Sequence, residues 1–240
     1  MTRRIAMWSG PRNISTAMMR AFENRPDTSV VDEPFYACYL HESGLDHPMR
    51  DEVIASQSTD WNEVIRELSD LERDSQYFYQ KHMTHHIPGH MNLDWTAGMK
   101  HCFLIRHPRY VVNSYVQKRE SASSADIGIE RQYILYREIS DISGQDIPII
   151  DAVKFLNDPA GCLERLCGLL EIPFLEEMLN WPKGRRESDG VWASHWYGNV
   201  ENSTGFKPWK EPELELDKVQ LELVKENEEY YEKMLEKSIT

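Results

Sequence analysis

The feature that most restricts the fold of this chain occurs twice: a short apolar run of strand length turns, within a few residues, into a segment with helical periodicity. Arg4–Trp8 is the first such run. It passes through Ser9-Gly10-Pro11 into a stretch whose apolar residues Ile14, Ala17, Met18, Ala21 and Phe22 follow the i, i+3, i+4, i+7, i+8 spacing of one helix face. Pro26 closes that helix, and Ser29-Val30-Val31-Asp32 reads as a second strand. A βαβ unit of this kind belongs in a parallel sheet.

The second occurrence is Lys100–Arg106, with Cys102-Phe103-Leu104-Ile105 at its centre and His107-Pro108 at its end, where proline suits the first helical position. Tyr77–Lys81 and Ile147–Asp151 supply two further strands. The expected fold is therefore α/β, three-layered, around a central and mainly parallel sheet of about five strands. Helices are expected over Trp61–Leu71, through Ile129, Tyr133, Tyr136, Ile139 and Ile142, and near residues 159–170 and 174–180. A terminal helix near 213–237 would present Leu216, Val219, Leu223, Tyr230 and Met234 on one face, packed on its own domain. Residues 36–60 and 182–212 show no clear period, and they read as an insertion beside the site and a loop-rich lid.

A chain of 240 residues can bury one substantial core, so residues 1–240 are expected to form a single domain. The net charge of -13, with basic residues scattered, repels a nucleic-acid backbone and excludes it as a partner. An anionic small molecule is not excluded, because local N–H groups and one or two arginines dominate within a screening length of about 8 Å. The start lacks the apolar stretch of a signal peptide, and no membrane-spanning run appears. Cys38, Cys102, Cys162 and Cys167 show no CxxC pair, so a cytoplasmic protein with reduced thiols and no membrane partner is expected; a homodimer is left open.

Gly10-Pro11-Arg12-Asn13-Ile14-Ser15-Thr16 sits where a strand becomes a helix, so unpaired N–H groups and the positive end of a helix dipole meet an approaching anion. Arg12 adds a guanidinium, and Ser15 and Thr16 add hydroxyl donors. The alternative is that Ser15 and Thr16 only cap the helix. The loop lacks the Gly-Lys pair of GxxxxGK[ST], which disfavours a simple ATPase or GTPase. Arg106 ends the second strand, and Ser114 lies nearly two turns into the next helix, where its side chain can point back toward the strand end.

With these two segments in hand, the chain resembles the superfamily of sulfotransferases that use 3'-phosphoadenosine 5'-phosphosulfate on a P-loop NTPase-like fold. Pro11-Arg12-Asn13-Ile14-Ser15-Thr16 is similar to the superfamily's first phosphate loop, with Asn13-Ile14 in place of the usual Ser-Gly. Phe103-Leu104-Ile105-Arg106-His107-Pro108, followed by Ser114, is similar to its second motif. The whole chain also looks like a bacterial sulfotransferase-like family with WSGPRNIST, VVDEPFYA, YQKHMTHH and HWY segments, whose members sometimes carry an aminotransferase label. A pyridoxal phosphate aminotransferase would require a Schiff-base lysine on a different fold.

The resemblance implies a phosphosulfate donor, a small hydroxylated acceptor, adenosine 3',5'-bisphosphate as product and no metal. It implies that residues 11–16 grip the 5'-phosphosulfate and that Arg106 and Ser114 grip the 3'-phosphate. The reaction also needs a base for the acceptor hydroxyl. Glu33, just past the second strand, is the first choice. Lys81, His82 and His86 remain candidates because Gln80-Lys81-His82-Met83-Thr84-His85-His86-Ile87-Pro88 resembles the Lys-Thr-His-Leu-Pro region of animal sulfotransferases in more than one register. Metal binding by His82, His85, His86 and His90 is disfavoured by the absence of a HExxH or finger spacing. Arg185, Arg186 and Lys207 are candidates to close the donor site from the lid, while Trp192 and Trp196 read equally well as packing. A kinase-like phosphotransferase on the same core and a non-catalytic nucleotide-binding protein are the competing readings.

Overall fold

The computed structural model describes residues 2–117 and 122–240; Met1, the first residue of the basic start, and residues 118–121 lie outside them. Strand β1 (Arg3–Ser9) leads through the Gly-Pro turn into α1 (Ser15–Glu23), and β2 (Thr28–Asp32) follows. Helices α2 (Tyr36–Ser43), α3 (Arg50–Ser56) and α4 (Trp61–Ser69) precede β3 (Tyr77–Met83). Then come β4 (Lys100–Ile105), α5 (Pro108–Val116), α6 (Ser124–Ile127), α7 (Ile129–Ser143) and β5 (Ile149–Asp151). The order continues with α8 (Ala152–Asn157), α9 (Pro159–Leu169), α10 (Ala193–Trp196), α11 (Gly198–Glu201) and α12 (Lys218–Leu235).

The five strands form one sheet in the order β2-β3-β1-β4-β5, and every pairing is parallel. Ile5 to Trp8 of β1 are fully buried because both faces of the strand are covered. Ile5 and Met7 pack with Met18, Met19 and Phe22 of α1 and with Leu163 and Leu166 of α9. Ala6 and Trp8 pack into the opposite layer, which α4, α5, α7 and α12 supply through Val64, Val111, Leu135 and Met234. The three layers follow from this period-2 alternation on a strand buried on both sides.

The chain leaves β1 toward β2 on one side and leaves β4 toward β5 on the other. Their carboxyl ends are adjacent, with Ser9 paired to Leu104, and the crevice opens at this change of direction. All four cysteines are buried and free. Among the described residues no helix is long and apolar enough to cross a membrane.

Four local expectations change. Residues 36–60 are not without regular structure: α2 and α3 form there, because Tyr36, Ala37, Leu40 and Val53 pack against Trp192, Ala193 and Tyr197 from far along the chain. The expected helix at 174–180 is only a short 3-10 turn, Glu176–Leu179, entered through the extended Leu175. The terminal helix begins at Lys218, where Asp217 and Gln220 form a reciprocal capping box. Val219 lies on its outer side, 77% exposed, rather than in the core.

Candidate active site

A cavity of about 570 Å³ opens over the carboxyl ends of the central strands. Residues Pro11 to Ala17 line one wall together with Arg106 and Ser114, so the two segments picked out in the sequence face the same space. Arg12 adopts a left-handed backbone, φ 55°, and its Nε donates to Ser114 Oγ at 3.0 Å. Arg106 Nη1 donates to the Arg12 carbonyl at 2.6 Å. Asn13 acts as a staple between the loops: its Nδ2 donates to the Leu104 carbonyl at 3.0 Å, and its Oδ1 accepts the Ile14 N–H at 2.9 Å. Ile14 turns its side chain onto the apolar layer under α1. The first turn of α1, with Ser15 and Thr16, has no side-chain cap and no acidic residue, which leaves its positive end toward the cavity wall.

Among the described residues neither Arg12 nor Arg106 forms an ion pair with a carboxylate, and the buried Nε of Arg106 has no hydrogen-bond partner. Burial pulls Arg12 below the ordinary arginine value. Burial, with the Arg12 guanidinium beside it, lowers Arg106 to about 10. Trp209 and Tyr110 lie 5.5 and 5.8 Å from the Arg106 guanidinium carbon, which fixes its plane without neutralising it. Two guanidiniums held together without a counter-charge suit a multiply charged anion, and Lys207, from the 182–212 segment, stands on the same cavity.

The floor is built differently. Glu33, just beyond β2, has φ 43° and is held by hydrogen bonds from its own N–H to the Lys81 carbonyl and from Gln57 Nε2 to its carbonyl. Lys81 Nζ donates to Glu33 Oε1 at 2.6 Å, to Asp32 Oδ1 at 2.8 Å and to Tyr197 Oη at 2.7 Å. The Tyr197 hydroxyl donates to Asp32 Oδ2 at 2.7 Å and accepts the Trp192 indole N–H at 3.1 Å. Burial holds Glu33 above the ordinary glutamate range; Lys81 pulls it down and Asp32 pushes it up again. Burial alone would depress Lys81, but the two carboxylates hold it above the ordinary lysine value.

His86 stacks on Tyr36 and Tyr39, with ring centroids 4.4 and 4.9 Å apart. Its Nδ1 lies 3.9 Å from Glu33 Oε2 and has no hydrogen-bond partner. Burial and the neighbouring His85, His47 and Lys81 push His86 well below the ordinary histidine range, so the ring is neutral.

The candidates drawn from the sequence thus separate. Glu33, Lys81 and His86 share the floor, whereas His82 lies on the other face of β3, stacked on Trp8 at 4.4 Å, and does not line the cavity. Adjacent strand residues point to opposite faces, so Lys81 in the cavity excludes His82 from it. His85 lines the cavity and His90 is exposed beside Glu42, so the four histidines do not converge. Arg185 and Arg186 also stay out of the cavity: Arg185 donates to the Gly190 carbonyl, and Arg186 belongs to a cluster with Glu23, Asp189 and the buried Arg20. The motifs did not reveal Tyr197 or Asp32 as partners of Lys81; the Glu-Pro and His-Trp-Tyr segments that carry them are 165 residues apart.

Residues 3–238 match a family described as "Sulfotransferase domain". Two curated Arabidopsis thaliana proteins, branched-chain-amino-acid aminotransferase-like proteins 1 and 2, are 36% and 34% identical to this chain over 209 and 210 residues. Each alignment covers 87% of this chain but 37% of the relative, so the chain spans little more than a third of their length. Among solved structures, the sulfotransferase domain from the Synechococcus PCC 7002 olefin synthase superposes with a TM-score of 0.54 at 16% identity, covering 94% of both chains. The sulfotransferase domain from the curacin biosynthetic pathway gives 0.51 at 15% identity, covering 94% of this chain and 97% of that one. At such identities the likeness concerns the fold.

Proposed function

The chain belongs to the sulfotransferase domain family, and from that premise we propose that it moves a sulfuryl group from 3'-phosphoadenosine 5'-phosphosulfate to a hydroxyl of a small acceptor. The observation that carries this reading is the pair of half-buried guanidiniums, Arg12 and Arg106, on the wall of a cavity whose floor holds Glu33. Arg106 and Ser114 take the 3'-phosphate, and Arg12, whose Nε donates to Ser114 Oγ, takes the 5'-phosphosulfate from beside that grip. The amides of residues 13–16, the Ser15 and Thr16 hydroxyls and Lys207 take the 5'-phosphosulfate. The 182–212 segment serves as the lid of a single domain, and the protein works in the cytoplasm with reduced thiols.

Glu33 Oε2 accepts the acceptor's hydroxyl proton as that oxygen attacks sulfur. The bond between sulfur and the bridging oxygen breaks, and its electron pair stays on the 5'-phosphate, where the α1 terminus and Lys207 stabilise it. Lys81 does not donate to the leaving oxygen, since its three protons are engaged by Asp32, Glu33 and Tyr197; it orients Glu33. Neutral His86 packs beside Glu33 and keeps bulk water from Oε2.

Calorimetry tests the reading directly. Adenosine 3',5'-bisphosphate should bind without Mg²⁺, and Arg106→Ala should weaken it by about 1.5 to 3 kcal/mol, roughly 10- to 150-fold. Unchanged affinity in that variant, or tighter Mg²⁺-dependent binding of ATP than of the bisphosphate, would instead support a phosphoryl-transfer site.

A further inference from the structure

The floor of the cavity contains one carboxylate more than a catalytic base requires. Glu33 faces the cavity; Asp32, its neighbour in sequence, does not line it, and its side chain is entirely buried. The two carboxylates flank one ammonium, Lys81 Nζ, at 2.8 and 2.6 Å. Burying a second acid here is costly unless it is fully bonded. Asp32 is fully bonded: Oδ1 takes Lys81, and Oδ2 takes the Tyr197 hydroxyl at 2.7 Å and the Gly190 N–H at 3.4 Å.

The arrangement has a chemical consequence. A glutamate locked 2.6 Å from an uncompensated ammonium is a poor proton acceptor, because the cation favours its charged form. Adding a second carboxylate to the same ammonium leaves the cluster with one net negative charge and spreads the lysine's attraction over two partners. We propose that Asp32 is a positioning residue for sulfuryl transfer: it offsets the charge of Lys81 from outside the cavity and thereby keeps Glu33 a working proton acceptor. The proposal rests on the reading of Glu33 as the base.

The titratable groups facing Glu33 are Asp32 at the end of its own strand, Lys81 from β3, His86 from the turn after β3 and Tyr197 from the lid. His86 is neutral, and the Tyr197 phenol is held protonated by burial and by Asp32 and Glu33. Lys81 is therefore the one cation of this set, and Asp32 is the group that offsets it.

The experiment is a carboxyl carbon-13 NMR titration of the full chain saturated with adenosine 3',5'-bisphosphate, with the Glu33 signal identified by its loss in Glu33→Gln. Asp32→Asn should move the Glu33 titration down by about one pH unit or more, the usual effect of an opposite charge at this range. Lys81→Met should move it up, and the charge-balanced Asp32→Asn/Lys81→Met pair should bring it back toward wild type. The opposed directions keep the test decisive if one single variant fails to fold. The acid limb of the kcat/KM profile should follow the same order.

A Glu33 titration that stays put in Asp32→Asn, or that moves the same way in both single variants, overturns the proposal and leaves Asp32 a tether for the lid. Full turnover in Glu33→Gln would sink the base assignment instead, and the NMR result separates the two failures because it does not depend on activity.

Discussion

The wall and the floor of the cavity treat buried charge in opposite ways. On the wall, Arg12 and Arg106 stand together with no carboxylate partner among the described residues, and burial weakens the hold of each on its proton. On the floor, Lys81 spends every donor on Asp32, Glu33 and Tyr197, and even fuller burial leaves it more firmly protonated than a free lysine. The difference lies in the counter-charge. A buried cation without one is a receptor for an anion from outside, whereas a buried cation with two is a fixed strut that aims its neighbours. His82 and His101 extend the rule to the opposite face of the sheet: buried with no acidic partner, they are pushed down to about 3 and about 4, and they stay neutral.

The largest effect that could break this contrast is catalytic. Glu33→Gln keeps the shape of the floor and removes the proposed proton acceptor, so turnover should fall by about 10²- to 10⁴-fold. Binding of adenosine 3',5'-bisphosphate by calorimetry should change less than about twofold, since the wall is untouched; a comparable loss of binding would mean that the two regions are not separable.

The next effect is on stability. Because the folded state keeps His82 and His101 neutral while the unfolded chain protonates them below about pH 6.5, their contribution is intact above that pH and is lost as the pH falls toward 4 and 3. At pH 5 the loss should be on the order of 2 kcal/mol for each ring, read as a lower urea midpoint. A His82→Gln chain whose midpoint falls as steeply with acid as wild type would show that this ring is not one of the titrating groups.

The smallest effect sharpens the wall itself. Ser114→Ala removes the hydroxyl that receives Arg12 Nε, leaving the guanidinium in place but less well aimed. Bisphosphate affinity should drop by about 1 kcal/mol, around fivefold. No change would indicate that Ser114 only braces the loop.

Much of this could be read from the chain before any coordinates. The two strand-to-helix junctions are local events, visible as apolar runs that break at Gly-Pro and His-Pro, and they sit at the switch point of the sheet. Arg12, Arg106 and Ser114 follow from them, because residues at strand ends and in first helical turns have few directions in which to point. Helices α2 and α3 were hidden because seven- and eight-residue helices show barely two turns of period, and their buried faces are matched by Trp192 and Tyr197 rather than by neighbours in sequence. Tyr197 was hidden for the same reason: its partners at 32, 33 and 81 lie more than a hundred residues away. The exclusion of His82 was within reach, since period-2 alternation places Lys81 and His82 on opposite faces once either is assigned.

Positions 12 and 33 share one further property: each carries a bulky L-residue in a backbone region that glycine occupies at no steric cost. Holding a non-glycine there costs about 1 to 2 kcal/mol per residue. Both are side chains on which the proposed chemistry depends, but they differ in what they return to the fold: at 33 the buried ion pair with Lys81 outweighs the backbone cost, whereas at 12 no carboxylate is paired among the described residues. Selection for thermostability alone would therefore drift toward glycine at 12 and not at 33, so durability competes with the proposed anion grip at that one codon.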